Sequence, residues 1–116
     1  MVVEDDLDNL ESLVELLQDE GYDVVAARTG QEASERLDAA HPRVMVVDYL
    51  LPDITGTELV RALQERMGGP PVPVIYLTAM SSPIDTVGAP LVKKPIALAE
   101  FLDVLGRSCA SAPSAS

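Results

Sequence analysis

The run Val44-Met45-Val46-Val47 ends abruptly in Asp48, and this junction constrains the chain more than any other stretch. Consecutive apolar residues, most of them β-branched, leave no polar face, which predicts a strand buried on both sides. Such a strand belongs to a parallel sheet with helices above and below. The carboxyl end of a buried strand is where open α/β sheets place their ligands, and here that end is a carboxylate. Pro52, Asp53 and Gly56 mark a loop, after which a helical pattern begins. Taken alone, Asp48 would serve equally well as a turn cap; the remaining strand ends decide between the two.

Taken in order, the chain alternates between short apolar runs and amphipathic segments. Met1-Val2-Val3 is a clipped first strand followed at once by Glu4-Asp5-Asp6. Leu10, Leu13, Val14 and Leu17 share one helical face, so a first helix is expected from about Leu7 to Glu20, with Asp6 as its N-cap and Gly21 just past its end. Tyr22–Ala27 is expected as a second strand. Thr29 and Glu32 form a capping box for a helix that buries Ala33, Leu37 and Ala40. A third strand spans Arg43–Asp48. Thr55 and Glu58 cap a helix with Leu59, Val60, Leu63 and Met67 inward, and Gly68-Gly69-Pro70-Pro71 stops it. Val72–Leu77 is the fourth strand and Leu91-Val92 the fifth. Leu98, Phe101, Leu102 and Leu105 stripe a last helix. This alternation predicts an α/β fold with a five-stranded parallel sheet of flavodoxin-like order 2-1-3-4-5 and helices on both faces.

The length of 116 residues suits one domain, expected over residues 1–107, with a Ser/Ala-rich disordered tail over residues 108–116. Nineteen acidic against eight basic residues give a net charge of −11, which opposes unaided binding to nucleic acid and favours cations and basic protein surfaces. No apolar run approaches membrane-spanning length. The one cysteine, Cys109, has no internal partner, in keeping with a reducing compartment, and a cytoplasmic location is expected.

In the predicted sheet the strand ends share one edge. The first strand brings Glu4 and Asp5 there, the third Asp48, the fourth Thr78 and the fifth Lys94. Carboxylates this close repel one another unless a cation joins them, and an all-oxygen donor set suits a hard ion such as Mg²⁺. With no histidine or cysteine in the set, zinc is disfavoured. A carboxylate beside a metal, a lysine and a hydroxyl is the equipment for forming an aspartyl phosphate.

The segments Val2-Val3-Glu4-Asp5-Asp6, Val46-Val47-Asp48 through Pro52 and Gly56, Leu77-Thr78-Ala79 and Lys94-Pro95 together resemble the response-regulator receiver domain of two-component signalling. The resemblance implies that Asp48 is the phosphoacceptor, Asp5 a direct Mg²⁺ ligand, Glu4 its partner through water, and the Leu50 carbonyl a third ligand. It implies that Thr78 and Lys94 are the switch hydroxyl and the phosphate-pairing lysine, with a cis bond at Lys94-Pro95. The implied partners are a histidine kinase or histidine phosphotransfer protein and an unknown downstream protein. Neither direct nucleic-acid contact nor membrane contact is expected, and the chain is expected to be a monomer or weak dimer. Leu50 and Met80 flank the approach of water in this resemblance. Both are apolar, so a long-lived phosphoryl group is expected.

Neighbouring residues take plainer roles. Lys93 alternates away from the crevice, Asp53 is a loop carboxylate, His41 a solvated turn residue, Tyr49 a shield and Tyr76 core packing. The chain also departs from the family. Only 15 residues separate Thr78 from Lys94, Leu91 stands where an aromatic is usual, and Ile96-Ala97 replace the cap of the last helix. Pro83, Gly88 and Pro90 discourage a fourth helix in the family's sense, so Ser81–Pro90 is expected to be a loop or at most one turn. Two other functions compete: a degenerate receiver that only binds protein, against which the complete residue set argues, and a Mg²⁺-dependent aspartyl phosphohydrolase. The latter wants a carboxylate where Leu50 stands.

Overall fold

Apolar faces on both sides of a short sheet dictate how the chain closes. The computed structural model describes residues 1–69, 72–79, 89–94 and 97–110. Its elements are β1 (Val2–Val3), α1 (Leu7–Asp19), β2 (Ala26–Ala27), α2 (Gly30–Ala40), β3 (Met45–Asp48), α3 (Gly56–Met67), β4 (Val74–Thr78), β5 (Leu91–Lys93) and α4 (Leu98–Ala110). The strands form one parallel sheet in the order β2-β1-β3-β4-β5, as the alternation predicts.

Alternation along the strands sorts the core into two layers. Val2, Val46, Ile75, Leu77 and Val92 pack with Leu10, Leu13 and Leu17 of α1 and Phe101 and Leu105 of α4. Val3, Met45, Val47, Val74 and Tyr76 face the other way, onto Ala33 and Leu37 of α2 and Leu59, Val60 and Leu63 of α3. Among the described residues, the buried members of both layers include no aromatic besides Phe101 and Tyr76, with Tyr22 packed half-buried against the first. β3 is buried along its whole length, which is why its sequence carries no polar alternation.

The helix ends follow local chemistry. Asp6 accepts from the Asn9 amide at 3.2 Å, and Thr29 and Thr55 accept from the Glu32 and Glu58 amides at 3.1 and 3.4 Å. At the end of α1, Gly21 takes φ +92°, its N–H reaches the Gln18 carbonyl at 3.0 Å, and the Tyr22 N–H reaches that of Leu17 at 3.0 Å. This pair of bonds requires the left-handed conformation that glycine adopts without a steric cost.

Several boundaries differ from expectation. The second strand shrinks from Tyr22–Ala27 to Ala26–Ala27, because its partner β1 offers two residues to pair with. The third begins at Met45 rather than Arg43. The fourth begins at Val74 rather than Val72, and two local features explain it. The Gln64 side chain takes both the N–H and the carbonyl of Val72, at 2.9 and 2.8 Å, and Pro73 has no N–H to contribute. The fourth strand also extends to Thr78 and the fifth to Lys93.

The expected loop at Ser81–Pro90 and the Lys94-Pro95 peptide fall largely outside the described residues. Of the former, Ala89 and Pro90 are described, and the Pro90 carbonyl accepts from the Tyr76 amide at 2.9 Å. α4 runs to Ala110, and residues 111–116 of the expected tail also lie outside. Among the described residues, no helix is long and apolar enough to cross a membrane.

Candidate functional site

Parallel pairing brings the strand ends to one edge. Register matches Val3 with Val47, Asp48 with Leu77 and Thr78 with Lys93, so β1, β3, β4 and β5 all finish at nearly the same level. Past those ends, one carboxylate oxygen from each of Glu4, Asp5 and Asp48 lies within 4.8 Å of the others. Glu4, Asp48 and Thr78 are buried, and Asp5 is the most open of the acidic three.

Lys94 completes the crevice. Its backbone N–H extends the β4–β5 ladder to the Thr78 carbonyl at 2.7 Å, which fixes where its side chain starts. Its Nζ stands 2.9 Å from Asp48 Oδ2 and 2.8 Å from both Glu4 oxygens. Lys93, one residue earlier, is exposed, as alternation requires.

The Lys94 hydrogen bond is directed at Glu4 Oε1, which also accepts from the Asp6 amide at 3.1 Å. Glu4 Oε2 is ion-paired but accepts no hydrogen bond among the described residues, although the residue is 0% exposed. Three carboxylates gathered around one ammonium leave an excess of negative charge, in keeping with a cation site. The donor set contains only oxygen, so the residues fit a hard divalent ion, directly or through water.

Charge is strained in this arrangement. Burial, reinforced by the Asp48 carboxylate, pushes Glu4 up to about 7 against the opposing pull of Lys94 and the Asp6 amide. Burial likewise raises Asp48, with Lys94 opposing. Burial works to lower Lys94, but its bonds to Glu4 and Asp48 outweigh that and hold the ammonium above its usual value.

Asp48 leads into a tightly folded loop. Its Oδ1 accepts from the Leu50 amide at 3.4 Å, the Tyr49 carbonyl accepts from the Gly56 amide at 2.6 Å, and the Leu51 amide reaches the Ile54 carbonyl at 3.2 Å. Leu50 itself projects outward, 53% exposed, so any role in ligation belongs to its carbonyl. Leu91, in the position where an aromatic was expected from the resemblance, is half-buried opposite Tyr76.

Two contacts at the rim escaped the sequence. Arg28 donates to the Asp5 carbonyl at 3.2 Å. Asp53, expected as a plain loop carboxylate, accepts from the amides of Gly30 and Gln31 at 2.9 and 3.0 Å. Each joins residues more than 20 positions apart, and no local spacing announces such a bond.

Fold and crevice together define a doubly wound α/β protein with an acidic site at the carboxyl edge of its sheet. A family model described as the response regulator receiver domain matches residues 1–104, and the chain belongs to that family. It is similar to the transcriptional regulatory protein TrcR of Mycobacterium tuberculosis, 40% identical over 72% of this chain but over 32% of that protein, so the chain spans about a third of it. It is 27% identical to the polar-differentiation response regulator DivK of Brucella abortus, covering 90% of each. Among solved structures, chemotaxis protein CheY4 of Vibrio cholerae superposes with a TM-score of 0.82 at 30% identity, covering 92% of this chain and 94% of that one.

Proposed function

We propose that Asp48 accepts a phosphoryl group from a phosphohistidine on a histidine kinase or histidine phosphotransfer protein. The observation that carries this is the gathering of one carboxylate oxygen from each of Glu4, Asp5 and Asp48 within 4.8 Å of one another, with Lys94 Nζ 2.9 Å from Asp48 and 2.8 Å from Glu4. In the transfer, an Asp48 oxygen attacks phosphorus and the P–N bond breaks. The imidazole nitrogen keeps the bonding pair, and an acyl phosphate remains on Asp48.

Asp5, Asp48 and the Leu50 carbonyl would hold Mg²⁺, with Glu4 acting through water, and the ion would neutralise charge on the phosphoryl oxygens. Lys94 follows the negative charge from the carboxylate onto a phosphoryl oxygen. Thr78 donates its hydroxyl to another, and that inward turn is the switch read by a downstream protein. Nothing is released as a small-molecule product, so the chain acts as a phosphorylated switch rather than a turnover enzyme. The setting is the cytoplasm, where phosphohistidine donors operate.

Incubation with acetyl phosphate or phosphoramidate and Mg²⁺, followed by intact-protein mass spectrometry, tests the reading. One phosphoryl adduct per chain, absent from Asp48→Asn, is the expected result. Continuous release of inorganic phosphate without a trapped adduct would make the chain a phosphohydrolase. No reaction at all would leave a protein-binding module.

A further inference from the structure

Asp53 lies outside the crevice, on the exposed loop between β3 and α3, yet both of its carboxylate oxygens are engaged. Oδ1 accepts from the Gly30 amide at 2.9 Å and Oδ2 from the Gln31 amide at 3.0 Å. These are the opening amides of α2, which have no partner within the helix. The local cap Thr29 serves a different amide, that of Glu32. The N-terminus of α2 is thus shared between its own cap and a carboxylate 23 residues away. The Gly30 N–H, backed by that of Gln31, holds the Asp53 carboxyl below the usual carboxylate range.

The docking is close as well as bonded. A Cβ built on Gly30 would meet Ile54 Cγ2 at 2.5 Å and both Asp53 oxygens at 3.3 Å. A methyl group at position 30 would force the Ile54 side chain at the loop tip to shift.

Of the other backbone bonds, Tyr49 to the Leu77 carbonyl of β4 at 2.8 Å holds only the loop's first residue to the sheet, while Gly56 to Tyr49 and Leu51 to Ile54 close the turn on itself. They set its curvature but not its tilt against the sheet. The Asp53 bonds cross to a different layer element and do set that tilt. Leu50, whose carbonyl is the loop's proposed metal ligand, lies between Asp48 and this anchor.

We infer that Asp53 is a positioning residue for the metal site, clamping the loop to α2 so that the Leu50 carbonyl faces the ion; this rests on the metal-binding reading above. Mg²⁺ tolerates little departure from octahedral geometry, so a loosened tilt registers as lost affinity.

Titration calorimetry with Mg²⁺ alone, beside amide exchange on the metal-free protein, tests the clamp in wild type, Asp53→Ala and Asp53→Asn. In Asp53→Ala, exchange at Gly30, Gln31 and Leu51 should quicken, and the Mg²⁺ Kd should rise by about tenfold, the low end for loss of an outer supporting partner. Asp53→Asn keeps one acceptor oxygen and should recover part of that affinity. Faster exchange at Gly30 and Gln31 with an unchanged Kd would overturn the positioning role. Equal losses in the alanine and asparagine variants would also overturn it, since both remove the same charge. If wild type takes up no Mg²⁺ while Gly30 and Gln31 stay protected, the metal site itself fails and the inference falls with it.

Discussion

A Cβ atom on Gly56 would stand 2.5 Å from the carbonyl oxygen of Asp48 and 3.1 Å from the Tyr49 Cα. The obstruction is backbone, which cannot swing aside as a side chain would. α3 therefore begins hard against the residue proposed to carry phosphate. Gly56→Ala should destabilise the fold by about 2 kcal/mol, the middle of the range for overpacking. It should also weaken Mg²⁺ binding, because the displaced atoms include Asp48. Urea unfolding and calorimetric titration measure the two effects, and a variant matching wild type in both would show that the loop absorbs a methyl group freely.

The pH profile of the metal-free protein should slope in an unusual direction. Glu4 rises from 4.5 to about 7 on folding, and Asp48 shifts the same way. The native state then holds more protons than the unfolded chain between those values, so this contribution is complete below 4.5 and is lost as pH climbs through 7. Chemical denaturation should show stability falling by about 2 kcal/mol from acid to neutral pH. Millimolar Mg²⁺ should flatten the slope by favouring the ionised carboxylates. A metal-free protein that gains stability over the same interval contradicts this account.

Removing the ammonium exposes the repulsion it conceals. In Lys94→Ala, Glu4 and Asp48 face each other without a cation, at a cost of about 2 kcal/mol, less than a fully buried pair because protonation relieves part of it. The rise in Tm with Mg²⁺ should be larger than in wild type, since the ion then neutralises charges that nothing else does. Thermal scans with and without Mg²⁺ decide the matter, and an equal rise in both proteins speaks against it. As a control on location, the rise should vanish in Asp5→Ala combined with Asp48→Ala.

Phosphoryl lifetime should depend on Leu50. An attacking water needs a polar group to orient it, and this exposed leucine offers none. Leu50→Asn should lose phosphate faster than wild type once the donor is removed, as followed by mass spectrometry over time. Identical decay would assign the lifetime to other residues.

What the sequence made legible was whatever rests on local chemistry or on a buried strand. The run into Asp48 could only be a two-sided strand, and the Thr29 and Thr55 caps sit where their Ser/Thr-x-x-Glu spacing places them. The convergence of Glu4, Asp5, Asp48, Thr78 and Lys94 followed from parallel topology, since one edge collects every strand end. Strand lengths were less legible, because pairing depends on the neighbour. β2 is short because β1 is, and Val72 leaves the ladder because Gln64 takes its polar groups. The Asp53 clamp and the closeness of Gly56 to Asp48 were invisible for the same reason: both depend on how a loop tilts in space.

Lys94 carries a further consequence. With its ammonium between Glu4 and Asp48, the chain brings its own counterion to the crevice. A newly made polypeptide can close its sheet where free divalent ions are scarce, and under the proposed metal reading the site would load afterwards by exchange rather than by filling a void. An arriving ion would have to draw the carboxylates away from a competitor that never diffuses off. On that reading the tether of one lysine would set a threshold for loading, and that threshold would travel with the protein wherever it goes.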